Sequence, residues 1–260
     1  MGTAFDLMVA PNGARLGKAD HPAVPCTAEE LSRTAAACAA AGAGAIHLHV
    51  RDADGHHALD ANLYDKAIAA VAQRTPIRVQ MSTEAVGIFD VPTQIECLRA
   101  VKAPDASIAL REITRRPDLL TEAYKVVEAN GTDVQHILYD AADLELLLQY
   151  FDQGLIAPRS RRVLFVLGRY SEHQVATPDD LTPFLAVPGA RDLTWSVCAF
   201  GPKEHDCLMA ALNTGGHARI GFENNTIAAD GTPYPDNAAS VAAFVETAAR
   251  AGFQPRRVMP

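Results

Sequence analysis

No stretch of this 260-residue chain approaches the ~18 consecutive apolar residues of a membrane-spanning helix, so an anchor of that kind is not expected. Met1 to Ala10 has no basic segment followed by a long apolar core, which argues against a secretory leader and for a cytoplasmic protein. Basic runs are missing too. The 23 Lys and Arg are scattered among 31 Asp and Glu, and at a formal charge of −8 no footprint for nucleic acid or an anionic membrane is visible. Cysteine is sparse and odd in number: Cys26, Cys38, Cys97, Cys198 and Cys207 lack paired spacing, which excludes a disulfide framework or a zinc ribbon. Nor is there a phosphate-cradling turn. After the first apolar run the chain reads Ala10-Pro11-Asn12-Gly13-Ala14-Arg15, without the spaced glycines of a dinucleotide site. A small-molecule enzyme is the class left standing.

What is present is an alternation of short β-branched or apolar runs with longer Ala/Leu-rich stretches. Strands are predicted at Ala4 to Val9, Ala45 to Val50, Ile77 to Met81, Ser107 to Leu110, Val134 to Tyr139, Arg162 to Leu167, Leu193 to Cys198 and Ala218 to Phe222. Helices are predicted between and after them: Ala28 to Ala41, Asn62 to Arg74, Pro92 to Val101, Pro117 to Asn130, Ala142 to Gln153, Pro178 to Val187, Glu204 to Asn213 and Asn237 to Ala251. Thr27 with Glu30 reads as a capping box, and Gly42, Gly131 and Gly252 follow helices where a left-handed residue is favoured. Eight β/α pairs in one chain predict an α/β fold of the (β/α)8 TIM-barrel type, spanning residues 1–260 as one domain. A doubly wound open sheet is the competing architecture.

The most informative segment is Gly44-Ala45-Ile46-His47-Leu48-His49-Val50. Alternation along a strand places His47 and His49 on one face, where two imidazoles suit a divalent metal, with zinc the first choice. Two satisfied histidines at a barrel rim are the plainer alternative. Glu223, after the eighth strand, is the candidate third ligand, because strands eight, one and two adjoin in a closed barrel. Three protein ligands leave a coordination position open, as in catalytic sites. Arg219 sits four residues before Glu223 and projects to the same face if the strand stays regular, a fixed cation that would stabilise an enolate or oxyanion. A structural ion pair is its alternative role. Other rim candidates are Asn12, Arg15, Arg51, Asp52, Ser82, Thr83, Glu84, Arg111, Glu112, Asp140, Arg169 and Asn224. His56 and His57 fall in a Gly/Asp-rich turn and read as solvated. His21 lies in a lid-like loop, and His205 begins a helix.

Four segments together resemble the β-keto acid cleavage enzymes: Ala10 to Ala14, His21 to Thr27, Ala41 to Asp52 and Gly216 to Glu223. The resemblance runs from near the first residue to the last helix. It implies a TIM barrel, usually tetrameric, in which His47, His49 and Glu223 hold Zn2+ and Arg219 assists catalysis. It also implies acetyl-CoA as co-substrate, converting a β-keto acid into acetoacetate and a new CoA thioester. Ser82 and Thr83 then occupy the loop that grips the substrate carboxylate, with Asn12 and Arg111 as further substrate contacts.

Two departures from that pattern bear on mechanism. Asn224 stands where an Asp commonly follows the metal-binding Glu, and an amide cannot act as a general base, so Glu84, Glu112 and Asp140 become candidates, with Glu84 preferred. Arg15 occupies a position that tends to be acidic in members handling an amino-bearing keto acid, so an anionic or polar substrate tail is predicted. The alternative enzyme is a metal-dependent hydrolase of the amidohydrolase type, to which His136 and His173 would contribute. It fits poorly, since strand four lacks Lys and strand eight offers Glu223 rather than Asp. A barrel that has lost activity is a third reading, resting on Asn224 alone.

Overall fold

In a computed structural model describing residues 2–157 and 161–256, eight parallel strands close into a barrel. They are β1 (Leu7–Val9), β2 (Ala45–Leu48), β3 (Arg78–Ser82), β4 (Asp105–Ala109), β5 (Asp133–Leu138), β6 (Arg162–Leu167), β7 (Thr194–Ala199) and β8 (His217–Ile220). Each pairs with the next, and β8 pairs with β1. The outer layer contains α1 (Ala28–Ala41), α2 (Ala61–Arg74), α3 (Val91–Ala100), α4 (Leu120–Asn130), α5 (Ala141–Asp152), α6 (Thr182–Ala186), α7 (Glu204–Asn213) and α8 (Asn237–Arg250). This is the predicted TIM barrel.

Alternation along each strand divides the apolar residues between two layers. On β6, Val163, Phe165 and Leu167 join the large core under the helices, while Leu164 and Val166 pack inside the barrel with Ala109, Ile137 and Cys198. The helix starts are fixed locally. Thr27 and Glu30 form the predicted capping box, and Asp60, Asp90, Asp140 and Asp236 each accept a backbone N–H as N-caps, worth ~1 kcal/mol apiece. The floor of the barrel is ionic rather than apolar. Buried Asp105 pairs with both Arg78 and Arg162, so no carboxylate there is left uncompensated.

Several boundaries differ from the sequence pattern. The first predicted strand breaks at Asp6: Thr3–Phe5 pairs with Phe253–Pro255 outside the barrel, and only Leu7–Val9 enters it. The second ends at Leu48, after which Val50–Arg51 forms a hairpin with His57–Ala58. The fourth is Asp105–Ala109, because Leu110 opens a helical turn, Leu110–Ile113. Pro178–Leu181 is a 3-10 turn, so the sixth helix is confined to Thr182–Ala186. The eighth strand stops at Ile220, before Gly221 takes φ of 138°.

Candidate functional site

The C-terminal ends of β8, β1 and β2 set one carboxylate beside two imidazoles. His47 Nε2 and His49 Nε2 lie 3.0 Å apart, and Glu223 Oε2 lies 3.7 Å from each. Both histidines are buried, and Glu223 Oε2 is a buried oxygen with no hydrogen-bond partner. A divalent cation among these atoms fits both the donor set and the orphaned oxygen, since buried polar atoms require partners.

The surroundings leave both imidazoles in a form that could bind a metal. His47 Nδ1 lies 2.8 Å from Gln80 Oε1, its neighbour across the β2–β3 register, and Gln80 Nε2 donates to Gln135 Oε1 at 3.1 Å. Donation from Nδ1 leaves the Nε2 lone pair aimed at the cluster. Burial pushes His47 down to about 4, and burial with the neighbouring charges of His47, His57, Arg51 and Arg219 pushes His49 well below the usual histidine range. Both imidazoles are therefore neutral near pH 7, as ligation demands.

Arg219 Nη2 donates to Glu223 Oε1 at 2.9 Å and to Cys198 Sγ at 3.3 Å, while its Nε and Nη1 are buried without partners. Burial opposes ionisation of Glu223, but Arg219, His47 and Arg169 outweigh it and hold the carboxyl below its ordinary value. The Arg219–Glu223 contact is not the period-2 strand relation that the sequence predicts. It is an i,i+4 contact across a turn in which Asn224 and Asn225 N–H groups both donate to the Gly221 carbonyl.

Two glycines are required at this point. A Cβ on Gly13 would stand 2.5 Å from Glu223 Cγ, and one on Gly221 would stand 2.5 Å from the Ala10 carbonyl oxygen. Glu204 and Asn237 complete the support. Buried Glu204 accepts the Gly221 N–H at 3.2 Å, and Asn237 accepts the Phe222 N–H at 2.9 Å.

The cavity above the cluster is lined by Arg15, Ser82, Glu84, Tyr139, Arg169 and Phe200, together with Asn12, His47, Arg219 and Glu223. Asn12 spends its amide on structure: it donates to the His49 and Pro25 carbonyls and accepts the His49 N–H. Arg15 and Arg169 have no ion-pair partner among the described residues, and Arg169 lies 5.1 Å from the Phe200 ring centre. Thr83 and Arg111 are not brought to this cavity. Thr83 is buried and donates to the Ser107 carbonyl, and Arg111 pairs with Asp140 and Asp143 under Tyr139 and Tyr170.

Of the candidate bases, Glu112 accepts from the Ala85 N–H and Gln94, and Asp140 caps α5, so both are committed elsewhere. The Glu84 carboxylate carries no hydrogen bond among the described residues and lies 3.9 Å from His49 Nε2. Burial, with the nearby Glu223 and Glu112 carboxylates, raises Glu84 to about 7.

His57 corrects the sequence reading. It is buried, with its ring centre 5.0 Å from that of His49. Only His56, its neighbour, is exposed. His136 lies on the helix side of β5, where Tyr124 Oη meets its Nδ1 at 2.8 Å, away from the cluster that the hydrolase reading would need it to join. Gln80, Gln135, Glu204 and Asn237 also escaped the motif search. Inward-facing polar residues at alternate positions of β3 and β5 were the available signal for the two glutamines.

A family model described as beta-keto acid cleavage enzyme matches residues 6–258. The chain belongs to this family. It is 29% identical over 221 residues to the 3-keto-5-aminohexanoate cleavage enzyme of Fusobacterium nucleatum, covering 82% of this chain and 79% of that one. It is 25% identical over 249 residues to the 3-oxoadipate:acetyl-CoA acetyltransferase of Cupriavidus necator, covering 90% and 85%. Among solved structures, apo ObcA superposes with a TM-score of 0.74 at 16% identity, over 90% of this chain. The chain spans 64% of ObcA, and the likeness is one of fold. Among the described residues no helix is long and apolar enough to cross a membrane.

Proposed function

We propose that this family member is a zinc-dependent transferase that takes a β-keto acid and acetyl-CoA to acetoacetate and a new acyl-CoA. The observation that carries the reading is the buried triad His47, His49 and Glu223, whose ligand atoms all lie within 4.8 Å of one another and include the orphaned Glu223 Oε2. The relatives named above act on keto acids, and one of them is named for acetyl-CoA.

Zinc held by those three side chains would supply Lewis acidity to the ketone oxygen. Glu84 takes a proton from the carbon between ketone and carboxylate, a duty Asn224 cannot perform. That carbon then bonds to the acetyl carbonyl of acetyl-CoA. The CoA sulfur moves to the original ketone carbon, the bond from that carbon to the proton-donating carbon breaks, and Glu84 returns its proton to give acetoacetate. Arg219 remains beside the charged oxygens throughout, its buried Nε and Nη1 donors without a hydrogen-bond partner among the described residues.

Ser82 and Asn12 define the wall nearest the substrate carboxylate. Arg15, which has no ion-pair partner among the described residues, reads an anionic or polar substrate tail. The resemblance further implies a homotetramer, the unpaired cysteines favour a cytoplasmic location, and the eight β/α pairs favour one barrel domain.

The test supplies zinc-loaded protein with acetyl-CoA labelled in both acetyl carbons and a panel of β-keto acids. Acetoacetate labelled at its methyl and ketone carbons, with stoichiometric new acyl-CoA, is the expected product. Release of substrate fragments without CoA would favour the hydrolase, and no labelled acetoacetate from any keto acid would overturn the proposal.

A further inference from the structure

The segment Ser82 to Ala85 is held at every residue by a side chain from a different part of the barrel. Tyr64 of α2 donates its hydroxyl to the Ser82 carbonyl at 2.8 Å. Gln94 of α3 donates to the Thr83 carbonyl at 2.7 Å. His57, on the hairpin after β2, has Nε2 2.7 Å from the Glu84 carbonyl, and Glu112 accepts the Ala85 N–H at 2.9 Å. Loops ordinarily satisfy such groups with water.

His57 is the member of this set that touches both walls. Its Nε2–H engages the residue whose carboxylate faces the triad. Its ring packs on His49 at 5.0 Å and on Phe89 at 5.7 Å. Its Nδ1 is buried.

We infer that His57 is the positioning residue for Glu84: by donating to the Glu84 carbonyl it fixes the backbone from which the carboxylate reaches the reacting carbon. The inference rests on the proposed function, and it concerns orientation, since misplacement of a catalytic group by about 1 Å costs on the order of 100-fold in rate.

Two substitutions separate donation from packing. His57→Phe keeps an aromatic ring against His49 and Phe89 but removes the donor, whereas His57→Gln keeps an N–H of similar reach. Each is measured for zinc content, for kcat and KM of acetoacetate formation, and for exchange of the keto acid's central methylene protons with D2O.

We expect H57F to lose about 10-fold or more in kcat and in proton exchange, with KM and zinc content unchanged, and H57Q to recover most of the loss. In an E84Q background, H57F is expected to cause no additional loss, because the two residues act through one another. Equal rates in H57F and wild type overturn the inference. So do a loss that tracks zinc content, which would place His57 behind His49, and losses that multiply in the double variant. If wild-type protein forms no acetoacetate from any keto acid, the proposed function itself fails, an outcome separate from all of these.

Discussion

Glu84→Gln is expected to stabilise the metal-free protein above neutral pH while removing its activity. The carboxyl sits near 7 in the folded chain against 4.5 for a free glutamate, with burial as the leading cause. Below pH 4.5 folded and unfolded chains both hold the proton, and Glu84 contributes no pH-dependent difference. Between 4.5 and 7 the unfolded chain releases a proton that the folded chain keeps, so stability falls as pH rises and the full cost stands above 7. At ~1.4 kcal/mol per pH unit that cost is bounded at about 3.5 kcal/mol, and solvent screening of a side chain that is 18% exposed brings it below that bound. Glutamine is neutral throughout and escapes it. No carboxylate hydrogen bond is lost in exchange. Urea unfolding of both proteins in chelator from pH 5 to 8 gives the comparison, and titration of the other groups largely cancels in the difference. Chelation matters because a cation at the triad would stabilise the Glu84 carboxylate and mask the effect. A stability difference that is flat with pH, or that favours wild type as pH rises, refutes the reasoning.

Glu223→Gln removes the anionic ligand and leaves Arg219 buried without its carboxylate; zinc retention after gel filtration and acetoacetate formation should both fall to background. Gln80→Leu frees the His47 Nδ1 proton and should weaken zinc binding ~10–100-fold in a chelator competition, with the barrel intact by circular dichroism. Gly13→Ala forces a Cβ against Glu223 at positive φ and should destabilise the fold by about 1–3 kcal/mol while lowering zinc occupancy, read by thermal unfolding and metal analysis. Arg15→Met should raise KM at least ~10-fold for keto acids with an anionic tail and leave the unfolding midpoint unchanged.

The barrel is legible because short apolar runs alternate eight times with Ala/Leu-rich stretches, and because several helices carry their own end signals, as Thr27 with Glu30 shows. Local rules failed where tertiary contacts decide the geometry. Val50–Arg51 is part of a hairpin because His57–Ala58 pairs with it, and no alternation of polarity in that stretch announces the pairing. His57 illustrates the same limit within the site. Its Gly/Asp-rich flanks signal a solvated turn, yet the hairpin folds that histidine back onto His49. The Arg219–Glu223 relation was anticipated with the wrong geometry, since the left-handed Gly221 converts a strand into a turn at the residue where period-2 counting would have continued. His47 and His49, by contrast, needed only strand alternation to be placed on one face.

Ser82 and Glu84 of the braced segment line one cavity with Arg15, which has no ion-pair partner among the described residues, and the two walls differ in how freely sequence can vary. A change in the braced wall disturbs several elements at once, whereas exchanging the Arg15 side chain undoes no hydrogen bond or ion pair among the described residues. Diversification toward new substrates should therefore proceed through Arg15, leaving the reaction itself inherited unchanged. Laboratory evolution restricted to that one codon would be the economical library to build.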